Sequence, residues 1–567
     1  MGQGRTRVRG RGIAGVASAC LVAAVLAAPA SASEFEVNTL GDPGTGDCDA
    51  SECTLREAIA AAKDHIWGDT VTFAPGLSGT IRLTDGELEY VDDDKVTIEG
   101  PGADVLTISA DADGDGEHDL PGLLGPGDSR ILEIRPMSPD DLSGANISGV
   151  TLAGGTVDGN GGAISSTDTQ LIMQDVRMVD NFATGEGGAL YSDGVYWLDG
   201  VARGNAALGD GGAIAVTDEI GPGEGSGLTR LAISGNHSAM DGGGVSLVGD
   251  AYVRASTIND NEASNGGGVF LRGVARLLES TVSGNEAAGR GGGVYAVAGP
   301  DPGDIGQLNE STIADNHAAV GGGAFGLAAG PGASTGALTN YGAILADNTA
   351  PDGPDVAARG TDGAEARYYA LNSIVENGPE PVPIPVSRSY VGVDPQLGPL
   401  ADNGGPTLTH MPAPTSVAID ATDYGEDFDP LPGDQRGLPR HVDAVAGNIY
   451  GSNDIGAVER QDPGAIGDDD IRPDTEITEH PPAIVRYRGH KPPRVRIGFT
   501  GTDDRTSARD LGFQCQLGKE SQRCEASFRA RMKPGRHIFK VRATDPAGNA
   551  DRTAAKFSFL VKKRQRR

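Results

Sequence analysis

The sequence predicts an all-β protein: a solenoid of short stacked strands, closed at its start by a helical cap and followed by a small β-sandwich. Three observations carry that class. First, a Gly-Gly pair followed by a small residue and usually an aliphatic one keeps returning, from Gly161-Gly162-Ala163-Ile164 through Gly187, Gly211, Gly242, Gly266 and Gly291 to Gly321-Gly322-Gly323-Ala324, at steps of 26, 24, 31, 24, 25 and 30 residues. Repetition at such a period means units that bury their apolar faces only against their neighbours. Second, an Asn stands five or six residues before nearly every pair: Asn181, Asn205, Asn236, Asn261, Asn285 and Asn316, with Asn348 and Asn377 continuing the series. Third, glycine supplies 87 of 567 residues while aromatics are few, which suits a narrow β-rich core turned by glycine.

Residues 1–32 read as a secretory leader. Arg5, Arg7, Arg9 and Arg11 precede an apolar run from Ile13 to Ala28, and Ala30-Ser31-Ala32 offers a small-residue cleavage site, so the mature chain is expected to start at Ser33. Cys20 leaves with the leader. Two close cysteine pairs remain, Cys48 with Cys53 and Cys515 with Cys524, and in an exported chain they read as local disulfides because no His or further Cys lies near either. No other segment is long and apolar enough to span a membrane.

Residues 33–69 form the expected N-terminal cap. Thr54 followed three residues later by Glu57 is a capping box, and Leu55, Ile59 and Ala62 recur at helical spacing. The run Cys53-Thr54-Leu55-Arg56-Glu57-Ala58 resembles the CSLREA motif of exported bacterial proteins, with Thr54 in place of the serine and Cys48 at the usual upstream cysteine. That resemblance implies a right-handed parallel β-helix of the pectin-lyase-like class, with the helix covering its first strand edge.

Residues 70–392 are assigned to the solenoid. Short β-type runs from Thr70 to Leu152 fit irregular early coils, and the glycine repeats follow. A period near 24 divides into three strands and three turns, and at about 4.8 Å per coil seven coils would stand roughly 34 Å tall. Identical Asn residues stacked along the axis can bond to one another, because an amide both donates and accepts. The units also resemble the Gly-Gly-small-aliphatic repeats of polymorphic outer-membrane proteins. Three Gly/Pro-rich insertions, Asp218 to Gly227, Gly299 to Gly306 and Ala328 to Gly336, fall in one phase and should emerge on one side, where functional loops collect.

Two groups offer chemistry. Asp111, Asp113, Asp115 and Asp119, with Gly114 and Gly116 between them, suit a Ca²⁺ loop. Gly122 stands where a full EF-hand loop needs its bidentate Glu, and an acidic solvated loop explains the same residues. Calcium is the one cofactor expected. The residues just before the Gly pairs are Asn160, Glu186, Asp210, Asp241, Asn265, Arg290 and Val320. Stacking would bring Glu186, Asp210 and Asp241 together, and paired carboxylates can hydrolyse glycosides; Asp and Glu are also ordinary turn residues. No Asn-Thr-Asp, Asp-Asp or Gly-His-Gly set of polygalacturonase-like hydrolases is present.

Residues 393–460 carry Asp394-Pro395-Gln396-Leu397-Gly398, Asn403-Gly404-Gly405-Pro406-Thr407, Ala418-Ile419-Asp420, Asp434-Gln435-Arg436-Gly437 and Asp454-Ile455-Gly456-Ala457-Val458-Glu459, and are similar to the choice-of-anchor Q domain. That domain commonly ends such β-helices ahead of surface-attachment segments, so 393–460 is expected as a C-terminal cap with Asp434 and Arg436 as an internal ion pair. After a linker at 461–475, residues 476–561 alternate apolar and polar at strand period and predict the sandwich. Gly535-Arg536-His537 through Asp545-Pro546-Ala547-Gly548-Asn549 resembles bacterial Ig-like domains of exported proteins, and 562–567 is a basic tail.

Charge separates the two parts. From Arg472 onward there are 23 Lys/Arg against 10 Asp/Glu, net +13, and before it 23 against 69, net -46. So acidic a body excludes nucleic acid as a partner, and the basic module could contact anionic cell-wall polymer. The expected protein is exported or cell-surface, non-catalytic, and meets polysaccharide or surface protein. A polysaccharide lyase or glycoside hydrolase, or a purely structural rod, are the alternatives.

Overall fold

The computed structural model describes residues 33–563 except 43, 45, 64–67, 113, 115, 117–127, 139–142, 218–224, 299–305, 330–337, 362–365, 367, 379–385, 423–432, 441–452, 462–471, 489–490, 503–510, 518–519, 525–526 and 545–549. The leader expected at 1–32 lies outside the described residues.

Parallel strands wind into a solenoid of three sheets, with 21, ten and seven strands. A typical coil starts at the Gly pair, adds a strand such as Val269–Arg272 to the ten-stranded sheet, and then crosses to the large sheet. There it contributes two segments in succession, such as Arg276–Leu278 and Thr281–Ser283. A two-residue strand such as Glu286–Ala287 in the seven-stranded sheet closes the turn. Each coil thus carries four strand segments rather than the three expected. In the early coils the middle two are one strand, as in Thr169–Val179, bent at Asp175. The same corner holds Asp199, Arg230, Ala255, Glu279, Glu310 and Asn372, all at positive φ. The large sheet is therefore two ladders meeting at a column of left-handed residues, called here the first and second ladders.

The Gly pairs answer two demands. Gly266 has φ +59, while a Cβ on Gly267 would stand 2.4 Å from the carbonyl oxygens of both Glu286 and Gly292 in the next coil. The first glycine turns the chain and the second lets coils approach. One register shift separates sequence from structure. Arg290 bridges to Gly321, and Gly321 to Asp352, so Gly321 and not Val320 occupies the column of residues ahead of the turn.

Asn181 to Asn348 form one continuous chain of side-chain bonds, and Asn377 stands outside it, giving its backbone nitrogen to Asp355. Nδ2 of Asn181 donates to Oδ1 of Asn205 at 2.9 Å, and so on through Asn236, Asn261, Asn285, Asn316 and Asn348 at 2.8–3.0 Å. Each Oδ1 also takes the backbone N–H of the preceding Asn, at 3.0 Å for Asn261 onto Asn285. The chain ends on Asp355, whose Oδ1 accepts from both N and Nδ2 of Asn348. A terminus that only accepts is what a carboxylate provides. A second column, not anticipated, follows the bent corner: the hydroxyls of Ser256, Ser280 and Ser311 accept N–H groups of Leu231, Ser256 and Ser280 at 3.0–3.2 Å.

The cap helix Leu55–Lys63 forms as its capping box requires, with Thr54 N donating to Glu57 at 2.9 Å and Glu57 N to the Thr54 hydroxyl at 3.2 Å. Leu55, Ala58, Ile59 and Ala62 join the solenoid core. Strand Glu34–Val37, within the segment read as a cap, already pairs in parallel with Asp69–Phe73. Both disulfides are present, Cys48 to Cys53 and Cys515 to Cys524.

Segment 393–460, expected to close the end, lies along the flank of the second ladder. Gln435, fully buried, bonds Thr257, Thr281, Thr407 and the Leu408 carbonyl. Ala457 N reaches Thr312, and Ile455, Ala418 and Ala421 pack on Ile344 and Ile374. Asp434 and Arg436 make the expected ion pair at 2.8 Å, both buried. The C-terminal strands form a three-stranded and a five-stranded sheet around one core of Phe499, Phe513, Phe539, Phe559 and Val541, a β-sandwich.

Candidate functional site

Glu186, Asp210 and Asp241 do come together. Gly187 N bonds the Asp210 carbonyl and Gly211 N the Asp241 carbonyl, so the three stand in successive coils. Each is half-buried at the turn, and burial pushes all three carboxyls above the usual range. Asp210 adds to the rise at Glu186 and Asp241, while Arg272 opposes it at Asp210. Two of them are engaged in stitching coils: Asp210 Oδ1 accepts Asp241 N at 3.0 Å, and Asp241 Oδ1 accepts Asn265 Nδ2 at 2.9 Å. Asn160 and Asn265 do the same for Glu186 N and Arg290 N. Asn160, Asp210 and Asn265 each accept the backbone nitrogen of the residue one coil on, so this column works as a corner ladder.

Of the calcium candidates, Asp113, Asp115 and Asp119 lie outside the described residues. Asp111 takes Gly114 N at 2.8 Å and faces Arg82 at 3.7 Å, so a guanidinium already meets it. Glu87, Glu89 and Glu133 also converge within 4.8 Å, but Arg130 holds Glu87 at 2.7 Å.

Sequence reasoning missed a buried ionic cluster at the bent corner. Glu279 and Glu310 occupy it in successive coils, and Arg440 from the flank segment reaches between them, 3.0 Å from Glu310 and 3.9 Å from Glu279. Arg254 holds Glu279 at 3.1 Å. Burial outweighs both guanidiniums, and Glu279 is pushed up to about 7. It borders a cleft of about 280 Å³ with Arg230, Arg254, Asp434 and Gln435. Nearby, Ser283 Oγ and His410 Nε2 lie 2.8 Å apart, but both are buried and the Asp315 carboxylate approaches that same nitrogen at 3.9 Å. Nδ1 faces the Gly398 carbonyl at 2.7 Å, so no carboxylate orients the ring from behind. The pair docks the flank segment. A Ser-Thr dipeptide five residues before the ladder Asn, at Ser256, Ser280 and Ser311, was the available sequence signal for this corner.

Among the described residues, the flank segment's hydrogen bonds to the solenoid fall on the second ladder and the bent corner, away from the outward column of the first ladder. That column runs Ile172, Tyr196, Gly227, Tyr252, Arg276, Gln307, Thr339 and Tyr369 in register. Ile172 is exposed, Gly227 is buried and the other six are partly buried. Tyr341 lies in the adjacent column beside Asn309. A Cβ on Gly227 would stand 2.5 Å from the Tyr252 ring, so the missing side chain lets that ring lie over the sheet. Most of each of the three insertions lies outside the described residues; the strands that flank them, Ile214–Val216 and Ser226–Ser234, Val294–Val297 and Gly306–Asn309, and Ala324–Ala329 and Leu338–Tyr341, belong to the ten-stranded sheet and to this ladder respectively. Trp197 faces the core instead, and Phe270 and Tyr295 are buried against Phe325.

In the sandwich, Lys540, Arg542, Arg552 and Lys556 line a cleft of about 390 Å³ with Gln514 and Gln516, and Lys540 sits directly opposite Lys556. Like charges so placed repel. Asp551, next to Arg552, turns its carboxylate onto Thr475 N and Thr553 N.

Three parallel sheets wound around a buried Asn ladder define the parallel β-helix class, carrying here a flank segment and a β-sandwich. No family model matches the chain, and no curated protein matches it. Among solved structures it is similar to the Azotobacter vinelandii mannuronan C-5 epimerase AlgE6 A-module, with TM-score 0.32 and 14% identity over 60% of this chain and 94% of that one. Among the described residues no helix is long and apolar enough to cross a membrane.

Proposed function

We propose that this is an exported, non-catalytic β-helix protein of the CSLREA and choice-of-anchor Q type that holds carbohydrate on the outward face of its first ladder. The observation that carries the reading is the column in which Tyr196, Tyr252 and Tyr369 stand in register with Arg276, Gln307 and Thr339. Aromatic faces stack on the apolar faces of sugars while amides and hydroxyls take the ring hydroxyls. The sandwich cleft supports attachment to an anionic wall polymer, since four cations line it and would attract a ligand of opposite charge.

The test is a panel of neutral and acidic polysaccharides, assayed for binding and for release of shorter or unsaturated products, with and without Ca²⁺. Binding without turnover, weakened tenfold or more by Tyr252→Ala or Tyr369→Ala, is the expected result. Turnover lost in Glu186, Asp210 or Asp241 variants would overturn it. Glu279 near 7 beside a cleft favours a second reading, a lyase or hydrolase. That reading requires turnover with an inflection near that pH, abolished by Glu279→Gln.

A further inference from the structure

Asp69 opens the second strand of the first ladder and is 1% exposed. Its Oδ1 accepts a hydrogen bond from the backbone nitrogen of Ser33 at 2.6 Å, and its Oδ2 is enclosed with no hydrogen-bond partner. The position of Ser33 is fixed by the sheet, because its carbonyl takes Thr70 N at 2.9 Å and Glu34 stands in register with Thr70. Among the described residues, the charged neighbours are Asp92, Asp93 and Asp94, with Lys95, exposed, on the paired strand next to Val96, the register partner of Asp69. Asp92 is 5% exposed, and the charges that Asp94 feels are all carboxylates, those of Asp92, Asp93 and Asp69. Tyr90, beside them, is held protonated far above its usual range by burial and by Asp92, Asp94 and Asp69. A single amide N–H leaves a buried anion poorly compensated; a buried carboxylate needs an opposite charge and donors for both oxygens.

Ser33 is also the residue that follows the expected leader cleavage site. We propose that cleavage after Ala32 completes the fold: the α-ammonium released on Ser33 pairs with Asp69 and locks the first strand onto the solenoid. Hydrolysis of the Ala32–Ser33 bond by a leader peptidase consumes one water. Ala32 departs with a carboxylate, and Ser33 keeps the nitrogen as an ammonium. Three N–H donors then replace one, enough for both Asp69 oxygens, and the charge is matched. Before cleavage the same nitrogen is a neutral amide, so the uncut chain carries Asp69 uncompensated. The inference rests on reading residues 1–32 as a leader and is independent of any ligand on the tyrosine face.

Intact mass and N-terminal sequencing of the exported protein come first, and a mature chain starting at Ser33 is expected; another start overturns the proposal. The pKa of the α-amine is then read from the pH dependence of its acylation, a quantity that separates charge from accessibility. In the native protein it should lie at least one unit above the ordinary value of about 8, so that the reactive amine fraction at pH 7 is about tenfold lower than in Asp69→Asn. A raised amine pKa places the added stability below about pH 8, lost as pH rises through the folded value. If Asp69→Asn does not fold, a variant with one Ala inserted before Ser33 keeps Asp69 and moves the ammonium one residue away. Its amine should return to about 8 with a lower melting temperature. Equal amine pKa values in native and variant proteins would refute the lock. So would a native pKa or melting temperature that changes on chelation, which assigns the place to a metal ion.

Discussion

Replacing Asn261 by Ala interrupts the amide ladder at its centre. The substitution removes the acceptor of two buried donors, Asn236 N at 3.0 Å and Asn236 Nδ2 at 2.8 Å, and the donor serving the Ile233 carbonyl at 3.1 Å and Asn285 Oδ1 at 2.9 Å. Asn285 Oδ1 keeps the backbone N–H of residue 261, so the two orphaned donors dominate. Asn236 is 1% exposed, and each buried donor without a partner costs about 1–3 kcal/mol. A loss of about 4 kcal/mol is expected, a large share of a typical stability of about 5–15 kcal/mol. Stacked coils do not melt as one unit, so the assay pairs urea unfolding with hydrogen exchange at the Asn236 amide. Protection there should fall by about a thousandfold, each factor of ten being about 1.4 kcal/mol. A loss below about 1 kcal/mol, or unchanged protection at Asn236, would show that the ladder is a consequence of stacking and not a cause of it.

The flank segment should be pH-sensitive. Glu279 is raised from 4.5 to about 7 by burial, so its contribution is full below 4.5 and lost as pH rises through about 7. Docking of residues 433–440 should weaken by roughly 3 kcal/mol between pH 4.5 and 8, read by limited proteolysis, and Glu279→Gln should flatten the dependence. Gly267→Ala should cost more than about 3 kcal/mol, because its Cβ meets backbone on two sides. Gly235→Asp should stay within about 1 kcal/mol, since open space surrounds Gly235 and Asp260 and Asp315 hold the same left-handed corner; thermal melts of the two variants settle the contrast. Reversing Lys540 and Lys556 to Glu should abolish retention on an anionic polymer column while leaving neutral-glycan binding unchanged.

The interior of this fold was legible because its repeating parts have few chemical alternatives. An amide that both donates and accepts, at a fixed period, has one obvious use in a solenoid, and the ladder uses Asn181 to Asn348 that way. The Gly pairs were equally legible, apart from the slip at Gly321, where three glycines hide which one carries the positive φ. Serine hid the second column, because Ser is common everywhere and its partners lie one coil away. The position of the flank segment was not legible. Its contacts join residues more than a hundred positions apart, such as Gln435 with Thr281, and nothing local in the chain encodes such a distance. The motif residues prove to be docking residues: Gln435 enters the threonine column, and a Cβ on Gly456 would stand 2.7 Å from Ile344.

The surfaces of the solenoid are not equally available, and that inequality bears on where a ligand can sit. Gln435, Ala457 and Ile455 cover the second ladder from Thr257 to Ile374. On the ten-stranded sheet the outward aromatics pack against one another as tilted pairs, Phe270 to Tyr295 at 5.8 Å and Tyr295 to Phe325 at 6.0 Å, with Arg290 over Phe325 at 5.2 Å. Those rings are spent on packing. The seven-stranded sheet offers two residues per coil, and its column of His237, Glu262, Glu286 and His317 carries exposed charge without an aromatic platform. In the acidic column ahead of the Gly pairs, Asp210 is held by the backbone nitrogen of Asp241 and Asp241 by the side-chain amide of Asn265. Among the described residues what remains is the first ladder, where partly buried tyrosines, an amide and a hydroxyl stand in one column at the coil spacing of about 4.8 Å. A chain-like ligand lying along the axis would meet the same chemistry again and again, and removing one tyrosine should weaken such a ligand more than it weakens a monosaccharide, because only the polymer bridges several coils.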